Sequence, residues 1–241
     1  MDSDATLSDY LDFAALNNPG LEAAFNRWKA ALEKIPQARS LPDPRFSYRY
    51  FIREVETRVG PQRQAFELSQ MFPWFGKLDL AGNVAAQAAQ AHYHAYEGAK
   101  RTLFQEAKHA YYDLYYLGRS VAVTEENVNL LIHLEEVVRA RYRAAAASHP
   151  DMIKVQVELG KVEDRLKTLR DVEEPTKARL NAALNRPAMA PLTLPMDISP
   201  PAVTVSEATL FERLDGTHPR LLALRATAQQ QRLAGDLAQE G

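Results

Sequence analysis

The sequence has no cysteine among its 241 residues, so disulfide staples and thiolate metal sites are both excluded. That absence is compatible with an oxidising compartment but does not point to one. Long apolar runs are missing too: none approaches the roughly 20 residues that a membrane-crossing helix needs. No secretory leader precedes the first periodic segment, because Met1-Asp2-Ser3-Asp4 is acidic and polar. An exported form would have had its signal peptide removed. The formal charge of −2 is near balance and the basic residues are dispersed, so nothing argues for nucleic acid. A Gly-rich phosphate loop, a nucleophile elbow and a zinc motif are all lacking. The expectation is a chain that is not an enzyme and has no cofactor. Glycine is sparse while alanine, leucine, glutamate and arginine abound, which favours long helices.

A first helix is expected over residues 20–39, with Asn18 as its cap and Pro19 in its first turn. Leu41-Pro42-Asp43-Pro44 stops it. Over 45–53 the period changes to two: Phe46, Tyr48, Tyr50 and Ile52 share one face, with Ser47, Arg49, Phe51 and Arg53 on the other. Residues 54–62 are polar and contain the turn signal Gly60-Pro61. A second strand is expected over 64–72, with Phe66 and Leu68 opposite Glu67 and Ser69. Each strand is about 9 residues long, the length of a tilted membrane-spanning strand. An ordinary ribbon packed on a soluble core fits the same pattern equally well.

Pro73-Trp74-Phe75-Gly76 closes the hairpin. A helix follows over 77–148, free of proline and interrupted only by Gly82, Gly98 and Gly118. At 1.5 Å per residue it would extend on the order of 100 Å. It carries a heptad seam: Leu103, Ala110, Leu117, Thr124, Leu131, Val138 and Ala145 in one row, Ala107, Leu114, Val121, Val128, Glu135 and Tyr142 in the other. His149-Pro150-Asp151 marks a reversal, and the helical turn is expected at 147–151. The seam then resumes with Met152, Val155, Leu159, Val162, Leu166, Leu169, Thr176, Leu180 and Ala183, Glu173 being the exception. Pro175 should kink this return helix. Pro187, Pro191, Pro195, Pro200 and Pro201 predict a stiff, non-helical connector, and a new helix starts near Thr217-His218-Pro219.

The histidines do not assemble a metal site. His92 and His94 diverge by about 200° on a helix. Glu106 and His109 give a single Glu-x-x-His, where a di-iron bundle needs two. A repeat is more telling. Asn18-Pro19-Gly20-Leu21-Glu22-Ala23 and His218-Pro219-Arg220-Leu221-Leu222-Ala223 share proline, leucine and alanine, and each opens a helix. The expectation is that the parent protein continues into a second repeat.

On these residues the chain resembles the TolC-type outer-membrane efflux protein family, in its heavy-metal branch. The opening Ala5-Thr6-Leu7-Ser8-Asp9-Tyr10 and Asn18-Pro19-Gly20-Leu21 is similar to the family's mature start, and Leu41-Pro42-Asp43-Pro44-Arg45-Phe46 to its junction with the strands. Leu68-Ser69-Gln70-Met71-Phe72-Pro73-Trp74-Phe75-Gly76-Lys77 resembles the strand-to-helix junction. The reversal reads Tyr142, Ala145, Ser148, Asp151, Met152, Ile153, with Ala145 where the family usually has glycine. Leu180-Asn181 and Leu184-Asn185-Arg186-Pro187 resemble the ending of the return helix.

The resemblance implies half of a TolC-like protomer: a mostly α chain built as a long antiparallel coiled-coil hairpin, with a β-hairpin contributing to a transmembrane β-barrel. The segments would be 1–44, first helix; 45–73, barrel strands; 74–186, helical hairpin; 187–216, connector; and 217–241, the start of the second repeat. Phe46, Tyr48, Tyr50, Ile52, Phe66 and Leu68 would face lipid. Phe72, Trp74 and Phe75 would form an interfacial belt, and Tyr142, Ala145, Ser148, Asp151 and Met152 an adaptor-docking tip. The implied partners are a homotrimeric parent, a periplasmic adaptor protein, an inner-membrane RND pump and outer-membrane lipid. The implied function is a passive export duct for metal ions or small toxic compounds, in the cell outer membrane and periplasm. Two readings compete: a soluble coiled-coil scaffold or adaptor, and a di-iron bundle enzyme.

Overall fold

The computed structural model of the chain describes residues 6–192, 198 and 205–239. In chain order the elements are α1 (Leu7–Asn17), α2 (Pro19–Arg39), β1 (Arg45–Thr57), β2 (Gly60–Ser69), α3 (Lys77–Arg143), α4 (His149–Asp171), α5 (Glu173–Ala183), α6 (Glu207–Thr217) and α7 (Pro219–Gln239). They fall into two compact units. Met1–Glu22 and Ala99–Ser206 form one, Ala23–Gly98 and Glu207–Gly241 the other.

In the first unit the distal part of α3 packs against the returning helices. Three cross-ties fix an antiparallel register: Arg179 to Asp113 at 3.3 Å, Arg170 to Glu125 at 2.7 Å and Gln156 to Glu135 at 3.0 Å. As the residue number on α3 rises, its partner's falls. The expected seam is the one that is covered, with Leu103, Ala107, Ala110, Leu114, Leu117, Thr124 and Val128 buried on α3. Burial weakens toward the reversal, where Leu131 and Val138 are half-buried and Tyr142 and Ala145 exposed. The return helix is broken rather than kinked. α4 stops at Asp171, and α5 begins with Pro175 at its third position. The proline ring would clash with the carbonyl four residues back, which belongs to Asp171.

Helix α1 was not anticipated. Thr6 caps it: its hydroxyl accepts from Asp9 N–H, while the Asp9 carboxylate accepts from the Thr6 amide at 2.7 Å. Its apolar residues Tyr10 and Ala14 are fully covered, with the Tyr10 ring 5.3 Å from that of Tyr111. Burial pushes both phenols above the usual tyrosine range.

The second unit holds α2 antiparallel to the proximal part of α3. Phe25 meets Tyr96 at 5.7 Å between ring centroids, Trp28 meets Tyr93 at 5.1 Å, and Arg39 reaches Asn83. Asn18 caps α2 as expected, its side-chain oxygen accepting from Leu21 N–H at 2.9 Å. Pro219, the first residue of α7, faces Gly98 of α3.

Three other expectations are corrected. Strand β1 runs on to Thr57, and β2 starts at Gly60 and stops at Ser69, so the expected loop over 54–62 is mostly strand. Gly60, at φ 121°, follows a tight turn at Arg58-Val59, and Pro61 pairs with Glu56 on an edge where its missing N–H is harmless. α3 ends at Arg143, five residues early. Helix α6 occupies a stretch expected to be non-helical connector, while Pro195, Pro200 and Pro201 lie outside the described residues.

Candidate functional site

The β-hairpin sets one face by register. Phe46 pairs with Leu68, Tyr48 with Phe66 and Tyr50 with Gln64, so Phe46, Tyr48, Tyr50, Phe66 and Leu68 stand on one side. The Tyr48 and Phe66 rings are 5.1 Å apart. Nothing in the unit covers this face, whose five apolar side chains remain 52 to 74% exposed. Ile52 does not continue it. The register shifts between Tyr50 and Val55, and residues 51–54 oppose Arg63 alone. This bulge takes Ile52 out of the alternation and returns Val55, opposite Gln62, to the aromatic side. A period-two reading could not have detected it.

At the foot of the hairpin, Gln70 donates to Pro42 O at 2.6 Å and ties the two strand ends together, a clasp the sequence did not reveal. Phe72, Trp74 and Phe75 are all strongly exposed, with Trp74 edge-on to Phe75 at 6.3 Å. Together with Leu41, Arg39 and Asp79 they line a cavity of about 520 Å³. Gly76, at φ 92°, turns the chain from this aromatic segment into α3.

The helical reversal is built from two terminal motifs. Ala146 N–H bonds to Arg141 O at 2.8 Å and Ala145 N–H to Tyr142 O at 3.0 Å, the paired bonds of a Schellman ending. That ending needs a left-handed residue, and Ala145 fills it at φ 57°. Ser148 then starts α4 instead of ending α3. Its hydroxyl accepts from Asp151 N–H at 3.4 Å, and the Asp151 carboxylate accepts from the Ser148 amide at 3.1 Å. The Ser148 hydroxyl also donates to the Asp151 carboxylate at 2.5 Å, and this bond chiefly, with that from the amide, holds the carboxyl below the usual carboxylate range. Tyr142 packs against His149, ring centroids 5.9 Å apart, and Met152 turns half-buried into the seam. Ser148 and Asp151 thus contact each other directly, while Tyr142 contacts a histidine that spacing did not single out.

Among the described residues no three His, Asp or Glu side chains come together as a metal site, and no helix is long and apolar enough to cross a membrane. His109 lies 3.5 Å from Gln105.

Neither a family model nor a curated protein matches this sequence. Solved structures do match the fold. The outer membrane protein VceC from Vibrio cholerae superposes with a TM-score of 0.75 at 18% identity, over 97% of this chain and 58% of its own. The chain has the fold of half a TolC-like protomer. The Campylobacter jejuni CmeC outer membrane channel superposes with a TM-score of 0.69 at 14% identity, over 97% of this chain and 52% of its own. CusC, described in terms of folding and transmembrane channel formation, gives 0.68 at 12% identity over 94% and 54%. The chain therefore spans just over half the length of these channel proteins, and at such identities the likeness is one of fold.

Proposed function

We propose that this chain is the first half of an outer-membrane channel subunit, a passive export duct in a tripartite efflux assembly. The observation that carries the reading is the two-stranded ribbon whose aromatic face no described residue of its unit covers. A soluble protein would bury such a face, whereas a lipid-facing strand needs it. Strands β1 and β2 would join neighbours in a closed barrel, the arrangement that satisfies every backbone group in lipid. Phe72, Trp74 and Phe75 then sit at the membrane boundary. The α3–α4 hairpin would line a periplasmic tunnel, and Tyr142, Ala145, Ser148, Asp151 and Met152 would meet a periplasmic adaptor. The parent would be a homotrimer, powered by an inner-membrane RND pump and moving metal ions or small toxic compounds. The protein conducts and does no chemistry.

Light scattering with and without detergent tests this. An assembly that detergent disperses, and that the triple variant Phe46→Ser, Tyr48→Ser, Phe66→Ser abolishes, is the expected result. A discrete species indifferent to detergent would replace this reading with the soluble scaffold.

A further inference from the structure

The cavity at the strand–helix junction is more than an aromatic belt requires. Phe72, Trp74 and Phe75 line it, and so do two residues of opposite charge, Arg39 and Asp79. Arg39 is the last residue of α2, and its side chain lies flat across α3. It does so because residue 82 is glycine. A Cβ there would lie 2.4 Å from Arg39 Nε and 2.5 Å from its Cγ, so the side chain would have to shift. Beyond the notch, the guanidinium donates to Asn83 Oδ1 at 3.5 Å. A long side chain that would otherwise sweep through water is thus laid down at the cavity wall, which lowers the entropy lost when it binds a ligand.

Apolar walls with one placed cation and one anion suit a molecule that is itself both apolar and zwitterionic. A phosphodiester takes a guanidinium through paired hydrogen bonds, and a primary ammonium takes a carboxylate. The glycerol and first methylenes would lie on the rings. An anionic headgroup would set unbalanced negative charge against Asp79, and an uncharged one would gain nothing from either ion. The volume, about 520 Å³, holds a headgroup and the start of its chains. We propose that this cavity binds the headgroup of a zwitterionic phospholipid bearing a primary ammonium, with Arg39 on the phosphate and Asp79 on the ammonium. The proposal rests on the reading that the hairpin enters a bilayer.

The test uses the whole chain with Trp28→Phe, which leaves Trp74 as the one indole. Short-chain phosphatidylethanolamine, phosphatidylglycerol and diacylglycerol are titrated as monomers while Trp74 emission is followed. Phosphatidylethanolamine should give a saturable blue shift at the lowest concentration. Arg39→Gln should weaken it about tenfold, the worth of a charge-assisted hydrogen bond. Asp79→Asn should turn the preference toward phosphatidylglycerol. Gly82→Ala is the decisive variant. It should weaken binding as Arg39→Gln does while leaving the melting temperature unchanged or raised, because alanine is the better helix former. An equal response to diacylglycerol, or unchanged binding in Gly82→Ala and Arg39→Gln, overturns the headgroup site. Flotation with phosphatidylcholine vesicles separates this from the barrel reading. Flotation without headgroup preference removes only the cavity site, and headgroup binding without flotation removes only the barrel. Failure of both removes both.

Discussion

At the residue scale, two left-handed positions and one buried amide govern the helical hairpin. Ala145 and Asn185 have φ of 57° and 53°, each closing a helix with a Schellman pair. An asparagine tolerates that conformation, but alanine pays roughly 1–2 kcal/mol for it. Ala145→Gly should therefore stabilise the chain by about 0.5–1 kcal/mol, after allowing for the extra freedom glycine gives the unfolded state; urea unfolding measures it. Asn181 is fully buried, and its amide donates to Ala188 O at 3.0 Å and Ala190 O at 2.9 Å, folding the proline-rich segment back onto α5. Asn181→Ala should cost about 2 kcal/mol for two bonds lost in the interior, and the same unfolding curves report it. Position 145 was legible as an anomaly, since glycine is expected there by resemblance. The two acceptors of Asn181 were not, because they depend on how the proline-rich segment bends back.

At the element scale, long periodic segments were easy to read and short or interrupted ones were not. The α3 seam and its return follow heptads over many turns, so the pattern overrides local noise. Helices α1 and α6 have 11 residues each, too few for periodicity to speak. Asn17-Asn18-Pro19 reads as a helix start while also ending the helix before it. The bulge at residues 51–54 leaves no compositional mark, so strict alternation follows the strand pairing as far as Tyr50 and not through Ile52. Caps decide the ends: Ser148→Ala should cost about 1 kcal/mol and fray the first turn of α4, seen as faster amide exchange there. Asp9 and Asp151 are both held below the usual carboxylate range by their capping hydroxyls. Their folded values lie below the unfolded ones, so their stabilisation is complete above about pH 4 and is lost as pH falls through the depressed values. Helicity followed by circular dichroism should drop in that acid window, and the drop should shrink in an Asp9→Asn, Asp151→Asn variant.

At the scale of the molecule, the repeat is larger than its six-residue signature. Helices Leu7–Asn17 and Pro19–Arg39 recur as Glu207–Thr217 and Pro219–Gln239, with both starts and the end of the first helix displaced by 200. Even a local bond recurs: Asn17 donates to Phe13 O at 2.8 Å, and Thr217 to Arg213 O at 2.7 Å. The copies differ in what covers them. Tyr10 is 4% exposed, whereas its counterpart Leu210 is 53% exposed. Tyr10→Ala should cost about 3–5 kcal/mol and Leu210→Ala no more than about 0.5 kcal/mol, a contrast that paired melting curves would show. The sequence carried the long helical hairpin and the β-hairpin. It could not carry partners for the outer edges of the two strands, which this ribbon does not itself supply.

The notch at Gly82 has a genetic consequence. Any residue with a β-carbon there collides with a side chain donated by another helix, not with its own backbone. A substitution at position 82 should therefore be masked by one at the distant codon 39. In a background already carrying Arg39→Ala, Gly82→Ala should add no further defect, revealing by inheritance a contact that spacing along the chain conceals.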